Sequence, residues 1–209
     1  TALKLCMEKS TRNKLINTAL WLAILTILYN LAEGIISIFF GISDDTLALL
    51  GFGVDSFVEV ISGIGILHMV IRLKRSGEES RDRFERKALR ITGFSFYLLA
   101  AGLVFGSIIN IIEGSKPETT MVGIIISSLS ILTMWFLMRY KLKIGRKLKS
   151  DAIVADAMCT KTCFYLSVIL LASSGLYEIF KIVYIDIAGS IAIAWFAFRE
   201  GKEAFEKAR

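Results

Sequence analysis

The 209-residue chain is 55% hydrophobic and carries a formal net charge of +6. That apolar share exceeds the roughly 45–50% of soluble domains and falls in blocks of about 20 residues, the length that crosses hydrocarbon, which excludes an ordinary soluble enzyme and leaves no length for a second folded domain. The basic excess flanks these blocks, which argues against nucleic-acid binding.

The first block covers 15–42 and follows Lys4, Lys9, Arg12 and Lys14. It is too long for the apolar core of a signal peptide and is read as a span; it contains Asn30 and Glu33. The second, 46–73, contains Asp55 and Glu59, with His68 nine residues further on at its far end. The third covers 88–112. The fourth, 119–140, follows the chain's single proline, Pro117. Its Ser127, Ser128 and Ser130 are expected to bond to backbone carbonyls. The fifth, 151–177, contains Asp156, Lys161, Cys159 and Cys163. The sixth, 183–199, opens with Asp186, expected to cap it. Trp21, Trp135 and Trp195 are expected as packing or interface anchors.

Inside hydrocarbon every backbone amide needs a partner within its own segment, so these blocks are predicted to be helices. The alternating ten-residue strands of a barrel are absent. The expected fold class is all-α, a six-transmembrane-helix bundle forming one domain over 1–209.

Basic residues cluster on alternate connections. Arg72, Lys74, Arg75, Arg81, Arg83, Arg86, Lys87 and Arg90 surround the second-to-third connection; Arg139, Lys141, Lys143, Arg146, Lys147 and Lys149 the fourth-to-fifth; Arg199, Lys202, Lys207 and Arg209 the tail. The remaining connections carry Lys116 and Lys181 beside Asp44, Asp45, Glu113, Glu118 and Glu178. This alternation predicts that both termini are cytoplasmic.

Ionisable groups inside spans are costly and mark function. Asp55 and Glu59 are four apart, as are Cys159 and Cys163, so each pair shares one helix face. Two pairs on facing helices supply the four ligands of a tetrahedral metal site. Four-apart thiols do not close a relaxed disulfide, and free thiols are expected. Asp156 is read as a carboxylate behind the ligands or on the access path, or as a cap of the fifth span, or as the partner of Lys161. Glu33 is read as a supporting carboxylate or a structural polar group. Small residues precede both pairs, a short internal similarity.

The runs Leu49-Leu50-Gly51-Phe52-Gly53-Val54-Asp55-Ser56-Phe57-Val58-Glu59 and Ala155-Asp156-Ala157-Met158-Cys159-Thr160-Lys161-Thr162-Cys163, with Asp186-Ile187-Ala188-Gly189-Ser190 and Glu200-Gly201 in the last span, resemble the transmembrane domain of the cation diffusion facilitator family, which exports zinc and manganese against protons. There the second and fifth spans each carry a His/Asp-x-x-x-Asp pair that binds the transported metal. The resemblance implies metal ligands at Asp55, Glu59, Cys159 and Cys163, a homodimer, and a multi-pass protein of the inner (plasma) membrane. Family members usually carry a cytoplasmic domain after the last span; the resemblance here covers the transmembrane part. The ligand set departs from the family's His and Asp by using two thiols, which favour softer ions.

The expected function is therefore proton-coupled export of Zn²⁺ or a similar divalent ion, with the metal as substrate and no cofactor. Apparent affinity is expected to rise between roughly pH 6 and 8, because bound thiolate and carboxylate must shed protons. Two other readings are a membrane-embedded metal sensor without transport and a thiol redox protein. An enzyme is not expected: the chain has no nucleophile elbow, His-based metal motif or cofactor fingerprint.

Overall fold

The apolar runs satisfy their amides internally and, among the described residues, fold as six helices: α1 (Ala2–Ser43), α2 (Leu47–Ser76), α3 (Arg81–Glu113), α4 (Met121–Leu148), α5 (Asp151–Phe180) and α6 (Tyr184–Lys207). The computed structural model describes residues 2–76, 81–113, 121–182 and 184–208. The side chains of Lys4, Cys6, Lys9, Lys74, Arg75, Arg81, Arg83 and Glu113, and the residues Lys116, Pro117, Glu118 and Arg209, lie outside what it describes. Among the described residues, five helices contain a stretch long and apolar enough to cross a membrane: Thr11–Ser43, Leu47–Arg72, Leu89–Ile109, Met121–Leu148 and Asp156–Phe180. In α6 the apolar run ends at Phe198, where Arg199 and Glu200 begin a charged continuation.

Several basic stretches expected as connections are instead the ends of the helices. Helix α4 continues to Leu148, leaving Lys149 and Ser150 as the turn into α5. Lys141 is therefore helical and, as described below, is not a surface residue.

Helix α1 packs mainly on α2, α4 on α5 and α3 on α6, while α2 also meets α5. The arrangement places α1, α2, α4 and α5 around a polar interior. A core of Leu49, Phe52, Leu99, Leu103, Leu166 and Ile193 joins α2 and α5 to the α3–α6 pair. Trp21, Trp135 and Trp195 are exposed, with Phe39, Leu98 and Phe198 among the other large apolar side chains facing outward. An apolar exterior around buried serines, carboxylates and amides suits a lipid solvent.

The α1–α2 and α4–α5 turns share one construction. Asp45 and Lys149 adopt φ of 53° and 50°, the left-handed region. The next amide reaches back to a glycine carbonyl: Thr46 N–H to Gly41 at 2.9 Å, and Ser150 N–H to Gly145 at 3.0 Å, the hydrogen bond of a Schellman closure. Both glycines admit the following helix closely. A Cβ on Gly41 would lie 2.6 Å from the Leu50 nitrogen, and one on Gly145 would lie 3.0 Å from Val154 Cγ2.

The caps differ. Ser150 accepts the Ile153 amide at 3.4 Å and caps its own helix. The start of α2 is capped from α6: Asp186 accepts the amides of Leu47 at 3.0 Å and Ala48 at 3.3 Å. Asp186 was expected to cap the sixth span; its carboxylate caps the second instead, because α6 begins beside the start of α2. Further along α6, Gly201 and Gly93 of α3 cross closely. A Cβ on Gly201 would meet the Tyr97 ring at 2.8 Å and the Gly93 carbonyl at 3.1 Å.

Candidate metal centre

The two ligand-type pairs lie at equal distances along the chain from two similarly built turns. Asp55 and Glu59 follow the Thr46 turn by the same steps as Cys159 and Cys163 follow Ser150. At 1.5 Å per residue, the first member of each pair lies about 14 Å beyond its turn and the second about 20 Å. The turns lie at opposite ends of an antiparallel helix pair, so both sets meet near mid-depth.

The α2–α5 contacts follow that antiparallel register. The Cys163 thiol donates to Asp55 Oδ2 at 2.7 Å. One turn on, Thr160 Oγ1 donates to Glu59 Oε1 at 2.5 Å. One turn further, Ser62 Oγ donates to Asp156 Oδ1 at 3.3 Å. Asp55, Glu59, Asp156 and Cys163 are all buried. Asp55 Oδ1 and Glu59 Oε2 are buried with no hydrogen-bond partner. Such oxygens are rare because burial without a partner is costly.

The helices thus join Asp55 to Cys163 and direct Glu59 to Thr160. Cys159 is partly buried and packs against the core around Phe52. Both Cys159 and Cys163 are free thiols. Among the described residues, no three His, Cys, Asp or Glu side chains converge as a group able to hold a metal ion. In this conformation Asp55 and Cys163 are hydrogen-bonded to each other, Glu59 is bonded to Thr160, and Cys159 packs against the apolar core.

Lys141 of α4 occupies the space beside Glu59. Its side chain is 2% exposed, and Nζ lies 2.8 Å from Asp156 Oδ2 and 3.5 Å from Glu59 Oε1. It also donates to Thr160 Oγ1 at 2.8 Å. The cation beside Asp156 is Lys141 rather than Lys161, which sits over the Tyr165 ring at 5.6 Å, and Ser150 rather than Asp156 caps α5. Lys141 was counted with the cytoplasmic charges on the strength of its basic neighbours. Its buried placement was detectable in the helical period, since Gly123, Ser127, Ser130, Met134, Leu137, Lys141 and Ile144 form one continuous buried stripe.

Glu33 of α1 supports the other side of α2. Its Oε2 accepts from Ser56 at 3.0 Å and its Oε1 from Tyr29 at 2.9 Å. Ser56 adjoins Asp55 in sequence, so Glu33 ties α1 to this turn of α2 with both oxygens engaged. His68 is exposed and distant along α2. Ser127 and Ser128 bond to backbone carbonyls as expected, at 2.6 and 2.7 Å. Ser130 instead accepts from Ser167 at 3.0 Å, tying α4 to α5.

The sequence pattern of the cation efflux transmembrane domain matches residues 23–208. The uncharacterized transporter MJ0449 of Methanocaldococcus jannaschii is 29% identical over 175 residues, covering 82% of this chain and 62% of its own length. Protein p34 of Rickettsia rickettsii is 26% identical over 207 residues, covering 97% of this chain and 67% of its own. The chain spans about two thirds or less of the curated relatives it matches. A multi-pass integral membrane protein follows from the matched domain and the apolar helices together.

Proposed function

The chain belongs to the cation efflux family, and from that premise we propose that it carries a divalent transition metal, zinc or a similar ion, out of the cytoplasm in exchange for protons. It is a transporter rather than an enzyme in this reading. The metal is its substrate, protons are the counter-ion, and a second copy of the chain is its partner in a homodimer of the inner (plasma) membrane, with both termini cytoplasmic.

One observation carries the proposal. Asp55 and Cys163 meet across α2 and α5 at mid-depth, and the neighbouring carboxylates leave Asp55 Oδ1 and Glu59 Oε2 without partners. A cation is the missing partner that both oxygens would accept. Glu59 and Cys159, one turn from Asp55 and Cys163 on the same helix faces, complete the ligand set in this reading. Thiolate beside carboxylate favours zinc or cadmium over magnesium.

Metal binding to a thiol displaces its proton, so uptake and proton release are linked. The similar helix pairs approach the site from opposite ends, the arrangement in which alternating access proceeds by rocking one repeat against the other. Here Gly41 and Gly145 sit at the two turns about which such motion would pivot.

The test is zinc and cadmium uptake into proteoliposomes under an imposed pH gradient, for the parent, Asp55→Ala and Cys159→Ser. Uptake in the parent lost in both variants supports the proposal. Uptake that survives Cys159→Ser but not Asp55→Ala removes that thiol from the site and points to a harder ion. Binding without uptake in the parent favours a sensor.

A further inference from the structure

A buried ammonium is costly unless it is opposed, and Lys141 is opposed unequally. Asp156 holds it at 2.8 Å, with its other oxygen bonded to Ser62 at 3.3 Å. Glu59 lies at 3.5 Å and keeps Oε2 without a hydrogen-bond partner. Thr160 bridges the two by accepting from Lys141 and donating to Glu59. Asp156 has both oxygens engaged, whereas Glu59 has Oε1 bonded to Thr160 at 2.5 Å, the ammonium 3.5 Å away, and Oε2 without a hydrogen bond.

The similarly built α1–α2 and α4–α5 turns align on Gly41 and Gly145. In the register that aligns Gly41 with Gly145, Ser37 stands where Lys141 stands and Phe52 where Asp156 stands. The ammonium–carboxylate pair therefore has no counterpart in the first half. It lies on one side of the ligand pairs, toward the α4–α5 turn.

We infer that Lys141 is a tethered cation that balances Glu59 while the metal is away and that the metal must displace, Glu59 exchanging the ammonium for the metal while Asp156 retains Lys141. This rests on Asp55, Glu59, Cys159 and Cys163 being the metal ligands. Lys141 is then a positioning residue: it never touches the ion, but competes for one of its ligands at the high effective concentration of a tether. A divalent ion wins the exchange because it engages Asp55 and Glu59 together. A monovalent ion offers Glu59 no more charge than Lys141 already does. The same competition lowers affinity and speeds release.

The experiment measures Zn²⁺ and Cd²⁺ binding calorimetrically in lipid nanodiscs, and uptake in proteoliposomes, for the parent, Lys141→Met and the double variant Lys141→Met/Asp156→Asn. The double variant removes both members of the retained pair, so no charge is stranded if Lys141→Met alone fails to fold. The expected result is a Kd about tenfold lower, with KM and kcat both reduced because release slows. A purely structural lysine moves thermal stability and leaves metal affinity alone. A folded double variant with a Kd within about twofold of the parent overturns the inference, as does failure of both variants to fold. If the parent binds neither ion, the ligand reading itself falls and takes this one with it; parent binding with unchanged variant affinity sinks this inference alone.

Discussion

The Cys163 thiol donates to Asp55 Oδ2 at 2.7 Å across the α2–α5 crossing. The contact engages the thiol and one carboxylate oxygen while both residues are buried and leaves Asp55 Oδ1 without a partner, and each group is of a type that binds metal once deprotonated. Cys163→Ser preserves the hydrogen bond and removes the soft ligand. Its expected outcome is a normally folded protein whose cadmium uptake falls at least about tenfold while manganese uptake is spared. Competition assays with both ions check this, and equal loss of both would contradict it.

Asp55→Asn retains an acceptor for Cys163 but removes the charge. Transport is expected to fall by about two orders of magnitude or more, since a charged ligand in a dry site is worth several kcal/mol. Thermal stability should hold or rise, because the buried carboxylate costs the apo fold. Uptake measured beside a melting curve separates these effects, and a matched loss of both would assign Asp55 to structure.

Proton release should accompany binding. Protons compete with metal for thiol and carboxylate, so affinity falls as pH falls, most steeply between roughly pH 8 and 6. Calorimetry in two buffers of different ionisation enthalpy reads the number of protons directly. Identical heats in the two buffers would show that none is released.

Asp186→Ala removes the acceptor of the Leu47 and Ala48 amides. A lost cap that also strands buried donors is expected to cost about 1–3 kcal/mol, read as a lower unfolding midpoint in detergent. Asp186→Asn, which retains an acceptor, should cost less than half as much. An unchanged midpoint for Asp186→Ala would mean that water replaces the cap.

Gly201→Val places a branched side chain where even a Cβ lies 2.8 Å from the Tyr97 ring. Overpacking of this kind costs about 1–3 kcal/mol. Gly201→Val combined with Tyr97→Ala should recover part of it. Lack of recovery would place the strain in the backbone, against Gly93, rather than in the ring.

Much of this architecture was legible in the sequence, for a physical reason. Lipid forces each apolar block to satisfy its own amides, so block length alone fixes six helices. Four-residue spacing fixes the shared faces of Asp55 with Glu59 and of Cys159 with Cys163. Partners chosen across helices were not legible. Asp156 takes Lys141 rather than Lys161, and Asp186 caps α2 rather than α6, because contacts between distant segments depend on packing that local spacing does not encode. Lys141 was obscured by its basic neighbours; its place on the apolar stripe of α4 outweighed its charge.

The Asp186 cap has a consequence for biosynthesis. Leu47 and the residue that completes its hydrogen bonding are separated by 139 positions. At translation rates of about 5–20 residues per second, the second helix waits roughly 7–30 s for the last one. Until then its first amides face the membrane boundary uncapped. A nascent chain arrested before Asp186 should be cleaved more readily at this end than a full-length one, a difference that limited proteolysis of ribosome-bound chains would detect. The arrival of α6 thereby seals the start of the second helix.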